Sequence, residues 1–419
     1  MEILSTGDKI RRARIYKGIT LKELCEDKIS ISKMSCIENG KIKADEDTLK
    51  YIAKKLNVNY DYLVQDIRGQ IEENIKIIDK GALSRKDLLD LVKYILDYSV
   101  KFEYYDLAFK IIHKLFLIYE DNNDLELMQL MIVQYYEIYK KNEDRENTLI
   151  YYNDMGTFFM KIEEYYEAIN YYAKILTILR ADNNLDREEY IHAVFKQAIC
   201  YMEIGDIEKA YSLVEEIISD IEYIESKFLK GYIYHIFACL SILSHKTEID
   251  KYIKISCEYL EDNSKYLAKS KSKIGRYFYK VGKNENGKKE TLDAMNMSCK
   301  DENNVYIDVL IECVETLYIY KEYELADKMI DKVLDFSICS EDMSFIERAY
   351  YYKGMILQRQ GLYRQAETYM NISTEYYLKS ANDEETYKRY TEMAELYYNI
   401  GEIREAIKYF TLAMNLEKK

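Results

Sequence analysis

Polar and basic side chains are concentrated in the first 43 residues, and their types suit hydrogen bonds to a polyanion. Side chains that could reach the edges of bases lie close together at Ser30, Ser32, Lys33 and Cys36, with Ile31 able to contact a thymine methyl group. Side chains suited to phosphate oxygens surround them, namely Arg11, Arg12, Lys22, Ser35, Lys41 and Lys43. This pattern predicts a surface that contacts nucleic acid.

A helix-turn-helix from Gly18 to Gly40 would position these side chains. Thr20 can cap the first of its two helices, a polar turn at 28–30 follows, and Gly40 supplies the stop. The inward-facing apolar positions of the two helices are Leu21, Leu24, Met34 and Ile37. Flanking apolar stripes that would complete a small bundle are Ile10, Ala13 and Ile15 before it, and Leu49, Ile52, Ala53, Leu56 and Val58 after it.

This pattern resembles the Cro/repressor-type helix-turn-helix over residues 8–66. The resemblance rests on Thr20-x-x-x-Leu24, on Ser32-x-x-Ser35-x-Ile37-Glu38-x-Gly40 and on Leu56-x-Val58. It implies a DNA-binding domain over residues 1–66. Members of this family commonly carry Gln at the positions of Leu21 and Ile31, and both are apolar here. A module that keeps the fold only for dimerisation is therefore an open alternative.

Composition predicts an all-α protein. The 419 residues include no Pro, no Trp, only 14 Gly and 45 Tyr, which favours long helices joined by short polar turns. The net charge of −14 is unevenly distributed, because residues 1–43 hold ten Lys/Arg and six Asp/Glu, which leaves −18 for the remainder. The acidic remainder argues against nucleic-acid binding there.

The cysteines and histidines do not have metal-ligand spacing. The eight cysteines contain no Cys-x-x-Cys pair and the four histidines are far apart in sequence, so we predict reduced thiols packed in helices and no metal or cofactor. The N-terminal residues do not resemble a signal peptide, and no apolar run approaches the ~18 residues of a membrane span. We predict a cytoplasmic protein.

A second pattern repeats through the remainder of the chain. A small residue, Gly156, is followed twelve positions later by an alanine, Ala168. The same spacing recurs at Gly354 and Ala366. Small residues at these positions let two antiparallel helices pack closely, which is the tetratricopeptide pattern. We predict a linker helix over 67–80 and, over 81–419, a right-handed tetratricopeptide-repeat superhelix that binds a ligand and dimerises.

The concave wall of such an array is built mainly from the first helix of each repeat. Offsets within the repeat predict that it includes Asn153, Thr157, His192, Phe195, Arg276, Arg348, Tyr351, Gln358, Tyr398 and Asn399. This mixture suits a short peptide, because amides can pair with its backbone and Arg can hold a carboxylate. For each residue, solvation or packing between repeats is the alternative interpretation.

The two modules together resemble the Rap/Rgg/NprR/PlcR/PrgX family of peptide-responsive regulators from Gram-positive bacteria, over nearly the whole chain. The resemblance implies a homodimeric transcription regulator in quorum sensing, which binds palindromic double-stranded DNA and is gated by a re-imported signalling peptide. The amino-acid sequence of residues 28–38 and the composition of the chain look most like those of clostridial members, which include regulators of sporulation and of toxin genes.

A second hypothesis is a protein-binding scaffold that modulates a phosphorelay response regulator or kinase, as some members of the family do. An enzyme is the least favoured class, because the sequence contains no phosphate-binding Gly-rich loop and no H-E-x-x-H. Adjacent acidic pairs such as Glu163-Glu164 point around a helix rather than towards each other. No catalytic residue is therefore predicted.

Overall fold

The computed structural model describes residues 2–81, 83–182, 186–297, 304–379 and 383–417, and all of their regular structure is helical. It divides into two compact units, Met1–Asn184 and Leu185–Lys419. The helices of the first unit are α1 Thr6–Tyr16, α2 Leu21–Cys25, α3 Ile31–Glu38, α4 Glu46–Leu56, α5 Tyr60–Val64, α6 Ile67–Asp79, α7 Arg85–Lys101, α8 Tyr105–Asp121, α9 Leu125–Lys141, α10 Arg145–Lys161 and α11 Tyr165–Arg180.

The second unit consists of successive helical hairpins. Its helices are α12 Arg187–Glu203, α13 Ile207–Ile218, α14 Lys227–Leu243, α15 Ile249–Leu260, α16 Ser264–Lys280, α17 Asn284–Asn296, α18 Asn304–Ile319, α19 Tyr323–Cys339, α20 Met343–Arg359, α21 Tyr363–Tyr377, α22 Asp383–Ile400 and α23 Ile403–Glu417. A 3-10 turn, Ile221–Tyr223, lies between α13 and α14. The all-α prediction is confirmed for the residues that the structure describes.

The first five helices form the predicted helix-turn-helix bundle. Thr20 caps α2 with a full capping box, because its hydroxyl accepts the N–H of Glu23 while the Glu23 carboxylate accepts the N–H of Thr20. α3 ends at Glu38, and Gly40 follows with a φ of 69°. The core of the bundle contains Ile10, Leu24, Cys25, Ile29, Met34, Ile37, Leu49, Ile52, Ala53, Leu56 and Leu63.

A buried ion pair joins α1 to α3. Nε and Nη2 of Arg14 donate to the two carboxylate oxygens of Glu38 at 2.7 and 2.9 Å, and Nη1 donates to the carbonyl of Ile19 at 3.1 Å. Gly7 lies beside this pair, where a Cβ would come within 2.6 Å of the backbone oxygens of Ile37 and Glu38. α1 and α3 therefore pack at a distance that only glycine permits at position 7.

One sequence expectation for α1 is wrong, because Ile15, assigned to its apolar stripe, is 59% exposed. Lys9 is buried instead, and its ammonium donates to the carbonyls of Tyr62 and Gln65 at 2.6 and 2.7 Å. Burial lowers the pKa of Lys9. α1 contacts α5 as well as α3, so residues outside its single apolar stripe are also buried.

The segment before α1 packs against helices that follow the bundle. Ile3 is buried in the cluster of α6 to α10, its N–H donates to the Tyr94 hydroxyl at 2.8 Å, and Leu4 exchanges two hydrogen bonds with the side-chain amide of Gln70. α6 begins after Asp66, whose carboxylate caps it. The helix-turn-helix bundle thus contacts the helices that follow it through the segment before α1, and it continues into them through α6.

Helices α10 to α23 show the packing that the repeat pattern requires. A Cβ on Gly156 would meet the ring of Tyr172 at 2.7 Å, so the small residue permits the close contact of α10 with α11. The matching alanines in the second helix of five hairpins, Ala168, Ala210, Ala326, Ala366 and Ala406, are all buried. These helix pairs are tetratricopeptide-type hairpins, one in the first unit and the others in the second.

The described cysteines are free thiols on helices, as expected. Cys25, Cys200, Cys239 and Cys313 are buried, Cys36 and Cys257 are half-buried, and Cys339 is exposed. Burial raises the pKa of Cys200, Cys239 and Cys313 to about 12, which keeps these thiols protonated. Cys299, the remaining cysteine of the sequence, lies outside the described residues.

Candidate functional sites

The exposed end of α3 carries the residues predicted to read bases. Ile31 is 49% exposed and Ser32 is also exposed, whereas Lys33, Ser35 and Cys36 are half-buried. The Ser30 hydroxyl accepts the backbone N–H of Lys33 at 3.2 Å, so this side chain caps α3. Because the cap occupies the Ser30 hydroxyl oxygen as an acceptor, Ser30 could contact a base only by donating its hydroxyl hydrogen.

The predicted phosphate contacts fall into two groups. Arg11, Lys22, Lys41 and Lys43 are exposed and take part in no ion pair within the described residues. The second group already has partners within the protein. Arg12 forms an ion pair with Glu2. The backbone carbonyl of Ser35 accepts a hydrogen bond from the side-chain amide of Asn39 at 2.8 Å. Four exposed cations of the bundle could thus contact phosphate without breaking an ion pair of the described residues.

Lys33 has a carboxylate partner that sequence inspection missed. Its ammonium donates to Asp45 at 3.0 Å, and the other oxygen of Asp45 accepts the N–H of Thr48 to cap α4. The Thr48 backbone N–H and the Lys33 ammonium hold the pKa of Asp45 well below its usual range. Asp45 therefore stays ionised and offsets the charge of Lys33. The signal in the sequence was Asp45 itself, an N-cap type before the apolar stripe of α4.

In the first unit, α10 brings together a polar cluster that the repeat offsets did not predict. The buried carboxylate of Asp154 accepts a hydrogen bond from the Tyr135 hydroxyl at 2.7 Å and lies 2.7 Å from Nδ1 of His113. The predicted residues Asn153 and Thr157 flank it on the same helix and are half-buried, and the hydroxyls of Thr157 and Tyr172 are 3.4 Å apart.

In the second unit, a polar cavity of about 360 Å³ opens between α18, α20 and α22. It contains two of the predicted wall residues, Arg348 and Tyr351, and they contact charged groups that were not predicted. Arg348 donates to Asp308 at 2.6 Å, and the Tyr351 hydroxyl donates to Glu392 at 3.0 Å. The other residues of the lining are Glu315, Glu347, Tyr352, Tyr377, Lys388 and Arg389. We call this space the charged chamber.

Arg389 forms one side of the charged chamber and is 6% exposed. Its guanidinium donates to Glu347 at 2.8 Å and to the Ser373 hydroxyl at 2.7 Å, and it lies between two rings, 4.5 Å from the centroid of Tyr351 and 4.2 Å from that of Tyr377. Burial raises the pKa of Glu392, which lies next to Arg389. The chamber is therefore a space lined by ionisable groups, several of which are held by hydrogen bonds and ion pairs.

The remaining predicted wall residues of the second unit are not gathered into this chamber. His192 is half-buried on α12, Arg276 is exposed on α16, and the Gln358 amide faces the Met355 sulfur at 3.7 Å. Asn399 and Tyr398 are exposed, and Tyr398 lines a separate apolar groove beside α23. Phe195 is 3% exposed and its ring packs edge-on against Tyr232, so it serves the helix packing instead of a wall.

Among the described residues, no cluster of three His, Cys, Asp or Glu side chains could hold a metal ion. Within the same ranges, no helix is long and apolar enough to cross a membrane.

The architecture defines a class of protein: a helix-turn-helix bundle followed by tetratricopeptide-type hairpins. No protein-family model matches the sequence, and no curated protein matches it. Several solved structures, in contrast, match the fold of this chain. The apo form of the quorum sensor NprR from B. thuringiensis is 17% identical, with a TM-score of 0.50, over 84% of this chain and 98% of that one.

Two other solved structures show lower structural similarity. A Rap protein complexed with Competence and Sporulation Factor is 14% identical, with a TM-score of 0.47, over 83% of this chain and 96% of that one. Aspartyl phosphate phosphatase F from Bacillus subtilis is 15% identical, with a TM-score of 0.44, over 100% of this chain and 96% of that one. The similarity to NprR confirms, for the fold, the resemblance to the Rap/Rgg/NprR/PlcR/PrgX family.

Proposed function

We propose that this protein is a cytoplasmic, homodimeric transcription regulator that binds palindromic DNA through α3 and senses a short signalling peptide through its repeats. The observation that carries the proposal is the exposed start of α3, where Ile31 and Ser32 face outward, on a bundle whose Arg11, Lys22, Lys41 and Lys43 are exposed and in no ion pair within the described residues. The resemblance to clostridial members extends the proposal to sporulation and toxin genes.

The repeats supply the sensing half of the proposal. The charged chamber offers rigid, buried polar groups next to aromatic rings, which suits a peptide better than an apolar cofactor. The fold shared with a quorum sensor supports this assignment. A ligand there would act by binding one arrangement of the repeats more tightly than another, and it needs no contact with DNA.

The test is selection of genomic DNA fragments by the purified full chain and by a Ser32→Ala/Lys33→Ala variant at a stated salt concentration. We expect the full chain to enrich a palindromic site, and the variant to lose at least about tenfold in affinity for it. Lys328→Ala, at a surface position of α19, is the matched control and should bind as the full chain does. Equal enrichment by the double variant and the full chain would contradict base reading by α3.

Replacing Asp45 should strengthen DNA binding. Asp45→Asn keeps an amide oxygen to cap α4, removes a negative charge from the region that approaches phosphate, and frees Lys33 from its ion pair. If Lys33 then neutralises one more phosphate, the plot of log affinity against log salt becomes steeper by about 0.9. Titrations of one duplex at several salt concentrations measure this slope, and a weaker affinity with an unchanged slope would show that the charge of the freed Lys33 does not contribute to DNA binding.

A second candidate function is supported by one surface of the first unit. α9 exposes an apolar stripe at successive turns, with Leu130 78% and Val133 69% exposed, next to Leu127. Apolar stripes of this kind mark sites of protein association. We therefore keep the hypothesis of a scaffold for a phosphorelay response regulator. Binding of purified response regulators to the full chain but not to a Leu130→Glu/Val133→Glu variant would favour it.

A further inference from the structure

The residues before α1 belong to a different core from the bundle that they precede. The core cluster of the bundle draws on residues 10–63. Ile3, in contrast, is 1% exposed within the cluster of α6 to α10, which also contains Ile71 of α6. The helices divide in the same way, because α1 to α5 pack on one another and α6 packs on α7 and α8. The chain therefore begins against α6 to α10 and only then enters the bundle.

We call residues 2–4 the strap, and three hydrogen bonds attach it to α6 and α7. The Ile3 N–H donates to the Tyr94 hydroxyl on α7 at 2.8 Å. The Leu4 N–H donates to Oε1 of Gln70 on α6 at 3.0 Å, and Nε2 of Gln70 donates to the Leu4 carbonyl at 2.9 Å. Gln70 is 6% exposed, so its bonds lie where the dielectric is low and a hydrogen bond is stronger than in water. Apolar burial and directional bonds thus hold the strap together.

The covalent connection from the bundle to α6 is short. α5 ends at Val64 and α6 begins at Ile67, so only Gln65 and Asp66 join them. Residues between two elements can act as a hinge, because a few backbone dihedrals absorb the rotation, whereas a second anchor elsewhere removes that freedom. A cavity of about 310 Å³ lies at this joint, lined by the strap, α1, α5 and α6, so the bundle and α6 are not closely packed there. The strap is therefore the second anchor of the bundle.

From this arrangement we propose that the strap fixes the orientation of the bundle on α6 and α7, with Gln70 and Tyr94 as its positioning residues. The inference rests on the proposed function, in which the two bundles of a homodimer bind one palindrome. A bundle held at two points presents α3 in one place, so the dimer accepts one spacing between half-sites. A bundle held only through Gln65 and Asp66 accepts several. The strap thus determines which operators are bound without contacting a base.

The strap can be released without disturbing the fold of the bundle. Ser5 caps α1 by accepting the N–H of Asp8 at 3.1 Å, and this bond follows the strap in the chain. The core of the bundle likewise begins after the strap, at Ile10. We therefore expect the affinity for an isolated half-site to be unchanged when the strap is released. This affinity separates positioning of the bundle from its folding.

The test measures binding of the full-length protein to the selected operator, to two versions with one and two base pairs inserted at the centre, and to an isolated half-site. Each inserted base pair moves one half-site by about 3.4 Å and turns it by about 35°. We expect the wild type to lose at least about tenfold in affinity with two inserted base pairs, because its second bundle no longer reaches its half-site. Gln70→Met/Tyr94→Phe removes the three bonds and nearly keeps side-chain size, and should lose no more than about threefold.

Gln70 also donates to the carbonyl of Asp66 at 3.0 Å, so a second variant acts on the strap itself. Ile3→Asp places a carboxylate in an apolar cluster, and should release the strap and give the same tolerance of inserted base pairs. Ile3→Val keeps an apolar side chain and should behave as the wild type. Gln129→Met/Tyr166→Phe makes the same two changes at exposed positions of α9 and α11, and is the matched control.

The outcomes distinguish the strap from the proposed function. If both strap variants keep the wild-type penalty for inserted base pairs, the strap does not set the spacing of half-sites. Wild-type tolerance of the insertions would overturn the inference too, and so would a loss of half-site affinity in both strap variants, because the strap would then be needed for folding. If the wild type binds the palindrome no more tightly than the half-site, dimeric DNA recognition itself is contradicted, and the inference with it.

Discussion

Arg14→Ala is expected to unfold the helix-turn-helix bundle and abolish DNA binding. The Arg14 side chain is 14% exposed and that of Glu38 is 5% exposed, so the substitution leaves an uncompensated carboxylate between α1 and α3. Removing one partner of a buried ion pair costs about 3–5 kcal/mol, which is a large fraction of the stability of a small bundle. Amide hydrogen exchange of α1 to α3, with the repeats as internal reference, measures the loss.

Two controls test this cause. Arg11→Ala removes a neighbouring cation of α1 that is exposed and in no ion pair, and should leave the amide protection of the bundle unchanged. Arg14→Met/Glu38→Leu replaces the pair by apolar side chains and should restore most of the protection. Wild-type protection in Arg14→Ala would show that the ion pair does not hold α1 against α3.

Arg389→Ala should have an effect of similar size in the second unit. The substitution deprives Glu347 of its cationic partner, deprives Glu392 of its ion-pair partner, and removes the group that separates two tyrosine rings. A loss of about 3–5 kcal/mol is expected, for the same reason as at Arg14. Hydrogen exchange of α20 to α22 is the measurement, and it should report faster exchange there than in α12 to α14.

Lys388→Ala is the matched control for this variant, because it removes the adjacent cation on α22. Lys388 is exposed and makes no ion pair within the described ranges, so its loss should change stability by no more than about 0.5 kcal/mol. If both variants exchange at the same rate, the buried cluster around Arg389 contributes nothing to the packing of α20 against α22.

The local rules of helix formation were sufficient for much of the fold. Thr20 caps a helix and Gly40 ends one where their residue types predicted, and the repeat alanines are buried where the spacing placed them. These features depend on residues close in sequence or on a fixed period. The sequence could therefore predict the two modules, whereas the proposed boundaries at 66 and 80 stay predictions.

Side-chain contacts between distant helices were not predictable in the same way. The ion pair of Lys33 with Asp45 and the burial of Lys9 depend on how α1, α3, α4 and α5 pack, which no single helical period encodes. The charged chamber was missed in part because its residues come from three hairpins. Offsets along the repeat found Arg348 and Tyr351, but Glu315 and Glu392 lie at other offsets.

The central claim is that occupancy of the repeats changes the affinity of α3 for its operator. The most direct measurement is the Kd of the full chain for the selected operator, with and without a saturating concentration of the selected peptide. We predict a change of at least about fivefold, with an equal factor when peptide affinity is measured with and without operator. Equal Kd values with and without bound peptide would contradict the account.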